Sequence, residues 1–180
     1  MSVSLSNGRL KTMPEVFIGL GSNVGPEENL RWAIAELEQQ FGTIVSSHVY
    51  QSPAFGFEGP AFLNLVAGFS TTADVDTVEA ILSELENSRG RDPEARSGSR
   101  TLDLDLLLYG QRVDAGRRLP RVDVLAYAFV LGPLAEIAPE LIHPVTGVTM
   151  RAAWTAVCDD HPELVMLYQP MLRPPSTAMI

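Results

Sequence analysis

Residues 101–109 read Thr-Leu-Asp-Leu-Asp-Leu-Leu-Leu-Tyr. Apolar and acidic side chains alternate there with a period of two, which is the pattern of a strand with one buried face. Leu102, Leu104, Leu106 and Leu108 are predicted to point together into a core, with Thr101, Asp103, Asp105 and Leu107 on the other face. The two carboxylates then stand about 7 Å apart at their Cα atoms. Aspartate is disfavoured in strands, and two like charges side by side repel. A divalent cation carrying a phosphate chain would offset that repulsion. The plainer reading is an exposed strand face with two solvated aspartates.

The distribution of positive charge favours the first reading. The chain of 180 residues has a formal net charge of -9, a poor balance for binding nucleic acid. Yet eight of its 13 Lys and Arg residues fall in one window: Arg89, Arg91, Arg96, Arg100, Arg112, Arg117, Arg118 and Arg121. Such a cluster in an acidic chain points to a small polyanionic ligand, the plainer alternative being a solvated arginine-rich surface. Lys11 is the only lysine and lies near the N-terminus. A P-loop, a protein-kinase strand lysine and a Schiff-base lysine in the core are therefore all excluded. Phosphate must be handled by arginine, backbone amides and metal.

No apolar run approaches the roughly 20 residues of a membrane span, and no secretory leader is visible in the polar first residues. Cys158 is the only cysteine, so no intrachain disulfide forms. A cytoplasmic protein with no membrane partner is expected.

Val16–Leu20 reads as a buried strand, and Pro26, Glu27 and Glu28 open a helix whose apolar face is Leu30, Ala33, Ile34, Leu37 and Phe41, stopped by Gly42. Residues 43–50 read as one strand, 51–60 as a Pro- and Gly-rich loop, and 62–69 as a strand. A capping-box-like Asp76-Thr-Val-Glu79 starts a second helix that buries Val78, Ile81, Leu82 and Leu85. Short helices are expected over 127–138 and 149–157. The order β-α-β-β-α-β predicts an α+β, ferredoxin-like fold: an antiparallel sheet with helices packed on one face. Residues 15–168 are expected to form a single domain, with loose ends at 1–14 and 169–180.

Phe62 and Asn64 share a strand face, and an aromatic plate beside a carboxamide suits a flat heterocycle. A phenylalanine on a strand is more often core, and Phe129 is equally ambiguous. His48, His143 and His161 have no ligand-like spacing.

Five segments together resemble the 6-hydroxymethyl-7,8-dihydropterin pyrophosphokinase family: Gly-Leu-Gly-Ser-Asn at 19–23, Tyr-Gln-Ser-Pro at 50–53, Phe-Leu-Asn at 62–64, Arg-Thr-Leu-Asp-Leu-Asp at 100–105 and Phe-Val-Leu-Gly-Pro-Leu-Ala-Glu-Ile-Ala-Pro at 129–139. The resemblance implies ATP as co-substrate and two Mg²⁺ ions held by Asp103 and Asp105. It implies a pterin stacked between Phe62 and Phe129, with Asn64 reading its edge and Ser52, Pro53 and Phe55 walling the pocket. It places Arg91 and Arg100 among the catalytic residues at the phosphate chain, and Glu86, Leu106, Arg118 and Arg121 on the nucleotide side. The substrates are then two small molecules, ATP and a pterin alcohol, and a monomer is expected.

The chain departs from that family at several places, and its loop from Arg91 to Arg100 is one residue shorter. Ser97-Gly98-Ser99 stands where the family usually has Trp-Gly-Pro, Arg121 where it has histidine, and Tyr127 where it has arginine. These changes keep open a second reading, a non-catalytic relative that binds pterin or nucleotide. A nucleotide-sugar transferase built on the Asp-x-Asp pair would need a larger doubly wound sheet.

Overall fold

Strand β1 (Glu15–Ser22) has two unlike faces. Val16, Ile18 and Leu20 are fully buried on one, while Phe17, Gly19 and Gly21 alternate onto the other. The computed structural model describes residues 13–54, 56, 58–90 and 100–167. After β1 come α1 (Pro26–Phe41), the short strands β2 (Val45–Ser46) and β3 (Val49–Ser52), β4 (Phe62–Ser70), α2 (Val75–Ser88) and β5 (Asp103–Tyr109). Three further helices, α3 (Asp123–Ala126), α4 (Ala128–Ile137) and α5 (Met150–Val157), precede the last strand, β6 (Val165–Leu167).

These strands form one antiparallel sheet in the order β5-β1-β4-β3-β6, with β2 also paired to β4. This is the expected ferredoxin-like arrangement. Helices α1 and α2 cover one face, where Leu30, Leu37, Val78 and Leu82 pack on Ile18, Leu20, Leu65 and Leu104. A second apolar cluster lies on the opposite face, where α3, α4 and α5 bring Val124, Leu131, Leu134 and Met150 against Phe17, Val66, Leu107 and Leu108. The helices thus cover part of both faces, not the one face expected, because the segment after β5 folds back as α3–α5 onto the second face, and the rest of that face is left for a site. None of the described helices is long and apolar enough to cross a membrane.

Four local expectations are corrected. Residues 43–50 do not make one strand, because Ser47 interrupts it. The Ser47 hydroxyl accepts from the Val66 N–H at 3.0 Å and donates to the His48 carbonyl at 2.8 Å, so the ladder breaks between β2 and β3. Strand β3 then runs on to Ser52, which shortens the expected 51–60 loop. Helix α2 begins earlier than the Asp76 box: Asp74 is the N-cap and accepts from the Thr77 N–H at 2.9 Å. Finally, Leu108 joins the second cluster rather than the first. The pairing of β5 on β1 slips between Phe17 and Ile18, leaving Leu107 as an extra residue, and a β-bulge reverses the facing of whatever follows it. The helix read from residue 26 stands as expected, with Gly25 in the left-handed region before Pro26.

Candidate active site

The uncovered part of the second sheet face lies over the ends of three strands. The register places Asp103 opposite Gly21, and Gly21 opposite Asn64. One step along, Asp105 is opposite Gly19, and Gly19 opposite Val66. Directly paired residues share a face, so two glycines on the central strand form a bare floor between the carboxylates and the carboxamide. A Cβ on Gly21 would lie 3.1 Å from Asn64 Oδ1 and 3.8 Å from Phe62 Cδ1. The cleft so formed is lined by Gly19, Gly21, Asn64, Asp103, Asp105 and Phe129, among others. A roomier cavity of about 860 Å³, near Phe17, Phe69, Ile137 and Leu141, contains none of the predicted site residues.

The Gly-Ser-Asn end of β1 ties down the entry to β5. The Asn23 N–H donates to the Arg100 carbonyl at 3.0 Å, and the Arg100 N–H donates back to Asn23 Oδ1 at 2.7 Å. The Ser22 hydroxyl donates to the Thr101 carbonyl at 2.6 Å. Arg100 is thereby held where its guanidinium meets Asp103. Asp105 is met by Arg121, whose Nη2 is 3.0 Å from Oδ1. Arg121 also reaches Asp123 through Nε, and its backbone N–H donates to the Leu107 carbonyl at 2.9 Å.

Burial, and then the neighbouring charge of Asp103, push the Asp105 carboxyl up to about 6 against the pull of Arg121. Burial works against the charge on Arg121, but Asp105 and Asp123 overcome it and hold the guanidinium more firmly protonated than usual. This is an electrostatic environment short of positive charge, and it suits a hard cation. Among the described residues no group of three or more His, Cys, Asp or Glu is placed to hold a metal. Asp103 and Asp105 fit a metal whose other ligands come from a phosphate chain and water.

Asn64 is buried and donates from Nδ2 to the Ser52 hydroxyl oxygen at 2.9 Å, so its orientation is set by β3. Pro53 lies beside Ser52 in a cavity with Glu58 and Gly59 that has no lining residue in common with the cleft. Phe62 stands next to Gly21 and Asn64 at the start of β4. Phe129, in the first turn of α4, is stacked on Tyr127 with centroids 5.1 Å apart. The tyrosine at the position of the family's cation thus backs an aromatic wall. Phe55, Arg91, Arg96 and Ser97–Ser99 lie outside the described residues.

Three residues that the resemblance put on the nucleotide side are placed as follows. Leu106 points to the α1 and α2 side and is buried there, because strand alternation turns it away from Asp105. Any nucleotide contact by Leu106 therefore falls to its backbone. Glu86 is almost fully buried, and its Oε1 accepts from the Leu104 N–H at 2.8 Å. Arg118 is exposed in a left-handed turn. The arginine window does not converge as a whole: Arg117 pairs with Asp76 and Glu79 on α2, Arg112 with Asp114, and Arg89 lies over the Trp32 ring.

The residue reading passed over Gly19 and Gly21 as a floor, Asp123 as the second partner of Arg121, and a carboxylate on α4. Glu136 accepts from the His48 backbone N–H at 3.0 Å and from the Tyr50 hydroxyl at 2.9 Å, and also meets the His48 ring. The Gly-x-Gly spacing opposite an Asp-x-Asp strand was the available signal for the glycines. Nothing local marks Glu136, because its partners lie more than 80 residues away.

The family model described as 7,8-dihydro-6-hydroxymethylpterin-pyrophosphokinase (HPPK) matches residues 17–139. A Synechocystis protein named 2-amino-4-hydroxy-6-hydroxymethyldihydropteridine pyrophosphokinase is 39% identical over 138 residues, 74% of this chain and 71% of that one. A Methylorubrum extorquens protein of the same name is 35% identical over 147 residues, 78% of this chain and 92% of that one. The crystal structure of wild-type Plasmodium falciparum HPPK-DHPS with pteroate superposes with a TM-score of 0.70 at 12% identity, covering 87% of this chain. The present chain spans only 48% of that longer protein.

Proposed function

The chain belongs to the 7,8-dihydro-6-hydroxymethylpterin-pyrophosphokinase family, and from that membership we propose how its own residues carry out ATP-dependent pyrophosphoryl transfer. The acceptor is 6-hydroxymethyl-7,8-dihydropterin. Its hydroxymethyl oxygen forms a bond to the β-phosphorus of ATP, and the bond from that phosphorus to the α,β-bridging oxygen breaks. AMP leaves with the bridging oxygen, the hydroxyl proton passes to solvent, and the pterin diphosphate remains. Such a transfer needs positioning and charge neutralisation rather than a covalent enzyme intermediate.

The observation that carries this reading is the shared floor, with Asn64 on one side of Gly21 and Asp103 on the other. A flat heterocycle and a metal-bound phosphate chain are thereby accommodated side by side. Asn64, oriented by Ser52, reads the pterin edge, while Phe62 and Phe129 supply its stacking surfaces. Asp103 and Asp105 would hold Mg²⁺, which when bound supplies positive charge to offset that of the phosphate chain. Arg100 and Arg121 already face those carboxylates and are placed to neutralise phosphate oxygens once nucleotide is present. The protein is proposed to act as a cytoplasmic monomer. The test is incubation with ATP, Mg²⁺ and 6-hydroxymethyl-7,8-dihydropterin. AMP should appear in equal amount with the pterin diphosphate; ADP in its place would overturn the reading.

A further inference from the structure

Arg121 is fixed by its main chain before its side chain does anything. Its N–H is bonded to the Leu107 carbonyl, the bulged residue of β5, at 2.9 Å. That bond sets the Arg121 backbone two residues beyond Asp105 on the neighbouring strand. The guanidinium is then shared: Nη2 lies 3.0 Å from Asp105 Oδ1, and Nε meets Asp123 in the first turn of α3. Arg100 takes Asp103 in the same way. The site therefore holds three carboxylates and two guanidinium groups, and each of the two candidate metal ligands already has an internal cation.

We propose that Arg121 is an internal competitor for the divalent cation at Asp105, so that metal binds together with nucleotide and only weakly without it. The proposal rests on the reading of Asp103 and Asp105 as the metal ligands. A metal arriving alone must displace Nη2 from Oδ1 and then sit beside a positive charge that has no new partner. A metal arriving with nucleotide brings phosphate oxygens to which the guanidinium can turn. Asp123 makes that exchange inexpensive, since Nε keeps its carboxylate while Nη2 changes partner. Because coupling is reciprocal, nucleotide must also bind more tightly when metal is present, by the same factor.

The test uses the full chain and Mn²⁺ as probe, followed by electron paramagnetic resonance. Mn²⁺ alone should bind Arg121→Gln roughly tenfold more tightly than wild type, the direction expected on removing a positive charge next to the ligand oxygen. Arg121→Lys, which keeps the charge, should stay near wild type. In wild-type protein the Arg121 Nη resonances should move when Mg²⁺ and a non-hydrolysable ATP analogue are added together, an arm that needs no variant to fold. Equal or weaker Mn²⁺ binding by Arg121→Gln, or an unmoved Arg121 resonance, would overturn the proposal. The underlying site reading is judged separately with Mn²⁺ plus the analogue, whose binding should be lost in Asp105→Asn. Retention there would refute the metal site itself, whereas loss there with no effect of Arg121→Gln would refute only the competition.

Discussion

Glu86 Oε1 accepts a 2.8 Å hydrogen bond from the backbone N–H of Leu104, the residue between the two aspartates. Strand β5 is the edge of the sheet, so this carboxylate on α2 satisfies a main-chain donor that has no strand beside it. Glu86→Ala should destabilise the ligand-free protein by about 1.5–3 kcal/mol, the range for a buried hydrogen bond to a charged group. Glu86→Gln, which keeps an acceptor, should cost less than half of that. Urea denaturation of both variants checks this. An alanine variant as stable as wild type, but with weakened ATP binding, would move Glu86 from holding the strand to contacting the nucleotide.

The floor glycines should differ in tolerance. Gly21→Ala puts a Cβ 3.1 Å from Asn64 Oδ1, whereas the nearest atom to a Cβ on Gly19 is 3.6 Å away on Leu107. Gly21→Ala should therefore displace Asn64 and weaken pterin binding by roughly tenfold, the lower range of overpacking effects. Gly19→Ala should stay close to wild type in pterin affinity. Calorimetric titration of both variants with the pterin is the measurement, and equal affinities would show that Asn64 yields without loss.

Asp105 gives the ligand-free protein a distinctive pH dependence. Its carboxyl holds a proton up to about pH 6 when folded, against an ordinary value of 3.8. The folded state thus binds more protons between those values, and stability falls as pH rises through them. With the side chain 34% exposed, screening reduces the effect to on the order of 1–2 kcal/mol. His143 acts in the opposite sense: burial lowers its pKa below 6.5, so it favours folding as pH rises. Thermal denaturation between pH 4 and 6.5 should show Asp105→Asn gaining stability relative to wild type as pH rises. An unchanged difference across that range would contradict the burial assigned to Asp105.

Arg117 tests the division of the arginine window. It pairs with Asp76 and Glu79 on α2, not with the aspartates of the cleft. Arg117→Ala should change stability only slightly, as exposed ion pairs do, and leave the Michaelis constant for ATP unchanged. A raised constant would return Arg117 to the nucleotide site.

Much of this was legible in the sequence because it depends on local period. Alternation along 101–106 put Asp103 and Asp105 on one face, and that part of the strand has no irregularity. The same rule failed at Leu108, since the bulge at Leu107 depends on how β5 pairs with β1. The arginines read as one cluster because they are close in sequence, yet the fold sends Arg117 to α2 and Arg121 to Asp105. The burial of Glu86 follows from how α2 seats on β5, and the link from Glu136 to His48 joins distant segments, so neither leaves a local trace.

The central claim is that two carboxylates on one strand face carry the transfer. Turnover of ATP and 6-hydroxymethyl-7,8-dihydropterin by wild type, Asp103→Asn and Asp105→Asn, with AMP quantified and folding checked by circular dichroism, tests it most directly. The account predicts AMP and pterin diphosphate from wild type and a loss of at least about a hundredfold in each folded variant, the scale of lost transition-state charge contacts. Wild-type turnover by either folded variant would contradict it.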